Sequence, residues 1–161
     1  MKSWVQRENS IWCRVVKFSK EQIRQVIVDT QAIYTDLAGR PIQRNCTALG
    51  DCCHFKLTGK TPHLTRGEAI TAWAAVKASG RKAMPESSGG ACPLLHPTSK
   101  RCLIYTGRPF GCRTHFCNAA GGPYARNEVI DLIHRLEKID VALGGDGAKP
   151  LPNALREIIE S

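Results

Sequence analysis

Apolar residues recur at helical spacing in three stretches of the chain. In SKEQIRQVIVDTQAIYTDLAGR, Ile23, Val26, Ile27, Tyr34 and Leu37 share one face of a 3.6-residue period. Ser19, with Gln22 three residues on, forms a capping box and Gly39 a stop, which predicts a helix over about 19–39. In LTRGEAITAWAAVKASGR, Thr65 and Glu68 form a second capping box ahead of a narrower stripe of Ile70, Trp73 and Val76, ending near Gly80. NEVIDLIHRLEKIDVALGG places Val129, Ile130, Leu132, Ile133, Leu136, Ile139 and Leu143 on a broad apolar face before Gly144, a third helix over about 127–144. A short fourth, NALREIIES, follows Pro152, with Gly144, Gly145 and Gly147 reading as a linker.

The remaining stretches, RNCTALGDCCHFKLTGKTPH and MPESSGGACPLLHPTSKRCLIYTGRPFGCRTHFCNAAGGP, are rich in Gly, Pro, Ser and Cys and hold no sustained period. Only CLIY suggests a short strand. Loops this long in a compact domain call for something other than a ladder or a core to hold them. The expected fold is mainly α: a small single domain over 1–161 of about four helices, with long cysteine-rich loops organised around a metal or iron–sulfur site. Its cysteine-cluster core is expected at about 44–120, with helical flanks at about 19–39 and 127–144.

Composition narrows the use of the cysteines. The 161 residues contain 8 cysteines, about 5%, below the roughly 8–10% of a disulfide scaffold. MKSWVQRENSIWCRVVKFSK shows neither a basic n-region nor an apolar h-region, and no apolar run approaches a membrane span. A soluble, cytoplasmic protein without membrane association is expected, in a compartment that keeps thiols reduced. Metal binding or redox chemistry then becomes the natural role of the thiols. The formal charge of +9 is consistent with an acidic macromolecular partner such as nucleic acid. Seven thiolates holding two divalent ions would lower it to about +6, with some arginines balancing the site itself.

Cys13 stands alone, and in SIWCRVV it reads as a small buried hydrophobe. The other seven, Cys46, Cys52, Cys53, Cys92, Cys102, Cys112 and Cys117, follow C-x5-C-C and then C-x9-C-x9-C-x4-C. Neither the paired C-x2-C knuckles of a zinc ribbon nor a ferredoxin run is present. A structural thiolate zinc site is worth roughly 10–16 kcal/mol apparent, comparable to the roughly 5–15 kcal/mol stability of a whole domain. One such site could tie both irregular segments to the helices. The adjacent pair Cys52–Cys53 suits a polynuclear cluster or two neighbouring ions better than one small ion.

NCTALGDCCHF, LTRGEA, CPLL and RCLIYTGRPFGCRTHFC resemble the CxxCxxCC cysteine-cluster family, also called YkgJ-type and described as zinc- or iron-chelating. The resemblance covers roughly 44–120, and its most specific part is C-x-I-Y-x-x-R-P-x-x-C-R from Cys102 to Arg113. It implies that the seven cysteines hold the metal. The family's opening motif is C-x2-C-x2-C-C; here Leu49 occupies the second cysteine position. Cys13, His54 or His115 are the candidates to supply the missing donor, ahead of His63 and His96. Among Arg101, Arg108 and Arg113, the last two belong to the matching string and would offset thiolate charge. Pro109 and Gly111 would shape the turn that brings Cys102 and Cys112 together. A related cysteine cluster in flagellin lysine-N-methylase resembles an iron–sulfur element.

Three functions follow. The first is a metal-binding protein holding an iron–sulfur cluster or zinc, structural or redox in role; seven thiols with an adjacent pair exceed the needs of one tetrahedral zinc and favour iron–sulfur. The second is a metal-dependent enzyme modifying a protein or RNA, which needs an open coordination position or an accessible low-pKa thiol. The third is a basic RNA-binding adaptor stabilised by metal, whose binding would weaken steeply with salt. No nucleotide fingerprint or phosphate loop is present.

Overall fold

The computed structural model describes residues 17–46, 50–87 and 89–161. Cys13 and Leu49 lie outside them. Among the described residues there are six α-helices and one two-stranded ribbon: α1 (Lys20–Ala38), α2 (Phe55–Thr58), β1 (His63–Leu64), α3 (Arg66–Ala78), α4 (Phe110–Thr114), α5 (Arg126–Ala142), β2 (Lys149–Pro150) and α6 (Leu151–Glu160). Four are the long helices of the sequence pattern. The two added ones, α2 and α4, are single turns within the cysteine-bearing segments, too short to show a period.

Both expected capping boxes form. Ser19 and Gln22 exchange hydrogen bonds at the start of α1, as do Thr65 and Glu68 at the start of α3, satisfying amides that a helix start leaves unpaired. Helix α3 is central, packing on α1, α5 and α6. Gly67 permits the approach: a Cβ there would lie 2.7 Å from Ile139 Cγ2. Ile33, Leu37, Val129, Leu132 and Leu136 fill the α1–α5 interface, and Val26, Ile70 and Leu143 fill a smaller core beside it.

A third core joins helices to loops. Leu64, Ala69, Val76, Leu151 and Leu155 pack with Cys92, Leu94, Leu95 and Ile104, so the second cysteine-bearing segment contributes buried residues of its own. β1 pairs antiparallel with β2 through His63↔Pro150 and Leu64↔Lys149, and the Leu151 amide donates to the Pro62 carbonyl at 2.9 Å. These contacts fix the start of α6 against the segment that follows α2. Pro152 lies inside the first turn of α6, where its missing N–H leaves no bond unmade, so this helix begins before the position the pattern predicted.

Two sequence readings are corrected. CLIY is not a strand: Cys102 makes an isolated bridge to Leu95, and the chain then coils into a 3₁₀ turn at Tyr105–Gly107. Gly107 lies where a Cβ would come 2.9 Å from the Ala75 Cβ, so the segment packs closely against α3. The glycines after α5 are not a linker either. Buried Asp140 accepts from the amides of Arg66 and Gly147 at 2.7 and 3.0 Å, drawing this loop around the start of α3. A Cβ at Gly145 would lie 2.3 Å from the Asp140 carboxylate.

Candidate metal centre

The first cysteine-bearing segment is shaped by Gly50, at φ 76°, in the left-handed region that suits glycine. A Cβ there would lie 2.5 Å from the Lys100 carbonyl oxygen, so the two cysteine segments cross at this point. The 3₁₀ turn Asp51–Cys53 follows and presents the adjacent thiols. The Cys53 carbonyl then accepts the Cys92 amide at 2.6 Å. From Cys92 the chain runs through buried Leu94 and Leu95, and the Leu103 amide donates back to the Leu94 carbonyl at 2.8 Å, setting Cys102 beside Leu95.

Cys112 rides on α4, and α4 is positioned by Glu68. One Glu68 oxygen accepts from the Thr65 amide and hydroxyl, both at 3.0 Å; the other accepts from the Phe110 amide at 2.8 Å and the Tyr34 hydroxyl at 3.4 Å. One buried carboxyl thereby joins α1, α3 and α4. Burial raises its pKa above the ordinary glutamate value, against the pull of these donors. Sequence reasoning saw Glu68 only as a cap, because its second pair of partners, Phe110 and Tyr34, is 42 and 34 residues away.

These elements surround a cleft of about 870 Å³ whose lining includes Cys46, Cys52, Cys53, Cys92, Cys102 and Cys112. Cys117 is exposed and does not line it; its carbonyl accepts the amides of Ala120 and Gly122 at 2.9 and 3.0 Å. His115 and His63 reach the cleft. His54 lines a different hollow on the far side of Cys92. His96 Nδ1 accepts the Thr98 and Ser99 amides at 3.3 and 3.1 Å, so it closes a turn.

The thiols act on one another. Burial pushes Cys92 up to about 12, reinforced by Cys102 and Cys52. Burial likewise raises Cys112, with Cys92, Cys102 and Cys52 adding to it. Cys102 is raised by burial and opposed in part by Arg108. Within the adjacent pair, the hydrogen bond from Cys53 draws Cys52 down to about 6 and holds Cys53 as the protonated donor. Arg108 acts on Cys52, Cys102 and Cys112, with its guanidinium 3.9 Å above the Tyr105 ring.

Arg113 is held mainly by other groups. Its Nε donates to the Arg108 carbonyl at 2.6 Å, its Nη2 to the Thr106 carbonyl, and its guanidinium lies 4.3 Å from the Tyr34 ring centroid. It folds the turn that carries Arg108. Arg101 is exposed at the cleft lining. Sequence reasoning passed over Tyr105, although the I-Y-x-x-R spacing of the matching string contained the tyrosine–arginine pair.

Among the described residues no three His, Cys, Asp or Glu side chains are drawn together tightly enough to hold one ion. The donor set itself fits a thiophilic metal. Five thiols raise or lower one another's acidity across a shared space, and as thiolates they would repel unless a cation stood between them. Arg108 Nε is buried with no hydrogen-bond partner, an unsatisfied donor beside the thiols. The CxxCxxCC family model, described as "Putative zinc- or iron-chelating domain", matches residues 45–132. The chain belongs to this family, which supports binding of zinc or iron through cysteines. No curated protein and no solved structure matches the chain. Among the described residues, no helix is long and apolar enough to cross a membrane.

Proposed function

We propose that the chain is a cytoplasmic protein that holds an iron–sulfur cluster, or else zinc, through Cys46, Cys52, Cys53, Cys92, Cys102 and Cys112. The observation that carries this reading is that six thiols from separate segments line one cleft. A single tetrahedral zinc takes four ligands, so six thiols with an adjacent pair favour a polynuclear centre. His115 supports the set as a further nitrogen donor: it lines the cleft, and burial together with Lys60 lowers its pKa, favouring the neutral imidazole that binds metal. Cys117 is left out of the set because it does not reach the cleft.

An iron–sulfur cluster would supply one-electron transfer, and zinc a rigid clamp. The residues of this chain supply the rest. Arg108 offsets thiolate charge, the Cys53–Cys92 backbone bond holds two donor segments in register, and Glu68 fixes the helix that carries Cys112. Cys46 and Cys52 are exposed, so the centre would be open to solvent on that side, which favours a redox role over a purely structural one.

Purification without oxygen, followed by iron, sulfide and zinc determination and visible absorption, tests the reading. A coloured protein with iron and sulfide is expected, with loss of metal on Cys→Ser change at each of the six cleft positions and retention in Cys117→Ser. A colourless protein with stoichiometric zinc replaces the cluster by zinc. A folded, metal-free wild type overturns metal binding altogether.

A further inference from the structure

The cleft that holds the thiols is also basic. Lys60, Lys100, Arg101 and Arg108 line it, with no carboxylate among the described residues of its wall. A metal centre accounts for only part of this charge, a step that rests on the function proposed above. Four thiolates around a divalent ion or a four-iron cluster carry about −2, and so do six thiolates around two divalent ions. Two of the four cations balance such a centre, and about two positive charges remain on the wall.

The shape of the cleft indicates what would balance them. At about 870 Å³ it falls within the roughly 300–1,000 Å³ of small-molecule sites. Its cations come from three segments around a concavity, the stretch after α2, the turn before Cys102 and the approach to α4. Half-buried Phe55 and Pro62 line the same space, offering contact to an apolar body. Tyr105, 43% exposed, lies stacked with Arg108 and presents a ring already held in one orientation. Charge therefore comes together with apolar and aromatic surface, a combination that selects an organic anion over a bare ion.

We propose that this cleft binds a small organic phosphate beside the metal centre, with Lys60 and Arg101 receiving the phosphate and the apolar wall its organic part. Lysine and arginine are both suited to phosphate oxygens. A nucleic-acid strand is the competing occupant, and its phosphate backbone would need a longer continuous basic track than a bounded cleft provides.

The test uses the full chain, purified without oxygen and carrying the metal it retains, titrated with phenyl phosphate by calorimetry at two salt concentrations. Inorganic phosphate and a short single-stranded RNA are run in parallel. Saturable one-to-one binding of phenyl phosphate, tighter than inorganic phosphate, is expected. Changing exposed Lys60 and Arg101 together (Lys60→Ala/Arg101→Ala) should weaken it about tenfold or more, with thermal unfolding unchanged. No saturable binding, equal affinity in the double variant, or binding of RNA alone overturns the inference. Metal content measured on every sample separates the two claims. A metal-loaded protein that ignores phenyl phosphate removes this inference only, whereas a metal-free protein that still binds it removes the metal centre and keeps the anion site.

Discussion

On the helical side, Ile33, Leu37, Leu132 and Leu136 are buried along faces that repeat every three or four residues. On the cysteine side, burial comes in short patches, Cys92 to Leu95, then Ile104, then Pro109 with Phe110, separated by exposed or half-buried stretches with no period. The two regions differ in how many independent supports each has. A periodic face gains roughly 1.5–3 kcal/mol per buried large side chain while the backbone groups between the helix ends bond within their own helix. The cysteine segments have little ladder, so their order rests on a few anchors: the Cys53–Cys92 backbone bond, the bridge at Leu95 and Cys102, and Glu68 on Phe110.

Removing the metal should break this comparison most sharply. A thiolate site worth roughly 10–16 kcal/mol apparent would dominate the cysteine side and leave α1 and α5 little changed. Hydrogen exchange with and without a chelator should show protection lost around 50–54 and 92–114 and kept in α1 and α5. Uniform loss in both regions would mean that they fold as one unit. Leu132, 1% exposed between α1 and α5, tests the other side: Leu132→Ala should cost about 2–5 kcal/mol in denaturant unfolding without changing the metal bound per folded molecule.

Gly50→Ala sharpens the contrast from within the loops. It combines a left-handed φ with a 2.5 Å approach to the Lys100 backbone, a strain of roughly 2–4 kcal/mol. Metal content should fall while helical circular dichroism is retained. Glu68→Gln acts on both regions, because an amide cannot accept from every donor that the carboxyl serves. It should cost about 1–3 kcal/mol and loosen α4.

Glu68 also gives the smallest and most specific effect, on pH dependence. Its folded-state pKa is raised above 4.5 by burial, so protonation favours the fold. The stability this contributes is complete below about 4.5 and is lost as pH rises through the raised value. The hydrogen bonds from Thr65, Phe110 and buried Tyr34 restrain the rise, and the Arg113 guanidinium is a further charge near the same carboxyl. Glu68→Gln should flatten this part of the stability–pH profile; an unchanged profile would assign it to another group.

The helices were readable because their signals are local. The capping boxes at Ser19 and Thr65 lie within single turns and the stripes within single helices, and they located α1, α3 and α5 to within a residue or two. Helices α2 and α4 were not readable, since one turn is too short to show a period. The Gly144–Gly147 loop looked like a linker because the group it encloses, Asp140, appears in sequence only as one charge on a helix.

By itself the sequence determined a mainly helical chain and membership in a metal-chelating family, because amphipathic periods and the string from Cys102 to Arg113 are contained in neighbouring residues. Only the tertiary structure decided which thiols face a common cleft, that Cys117 does not reach it, and that Arg108 serves the sulfurs while Arg113 folds the turn. Those outcomes depend on contacts between segments dozens of residues apart: Gly50 against Lys100, Cys53 bonded to Cys92, and Glu68 to Phe110. Close packing and buried hydrogen bonds select among such pairings only once the segments have been brought together.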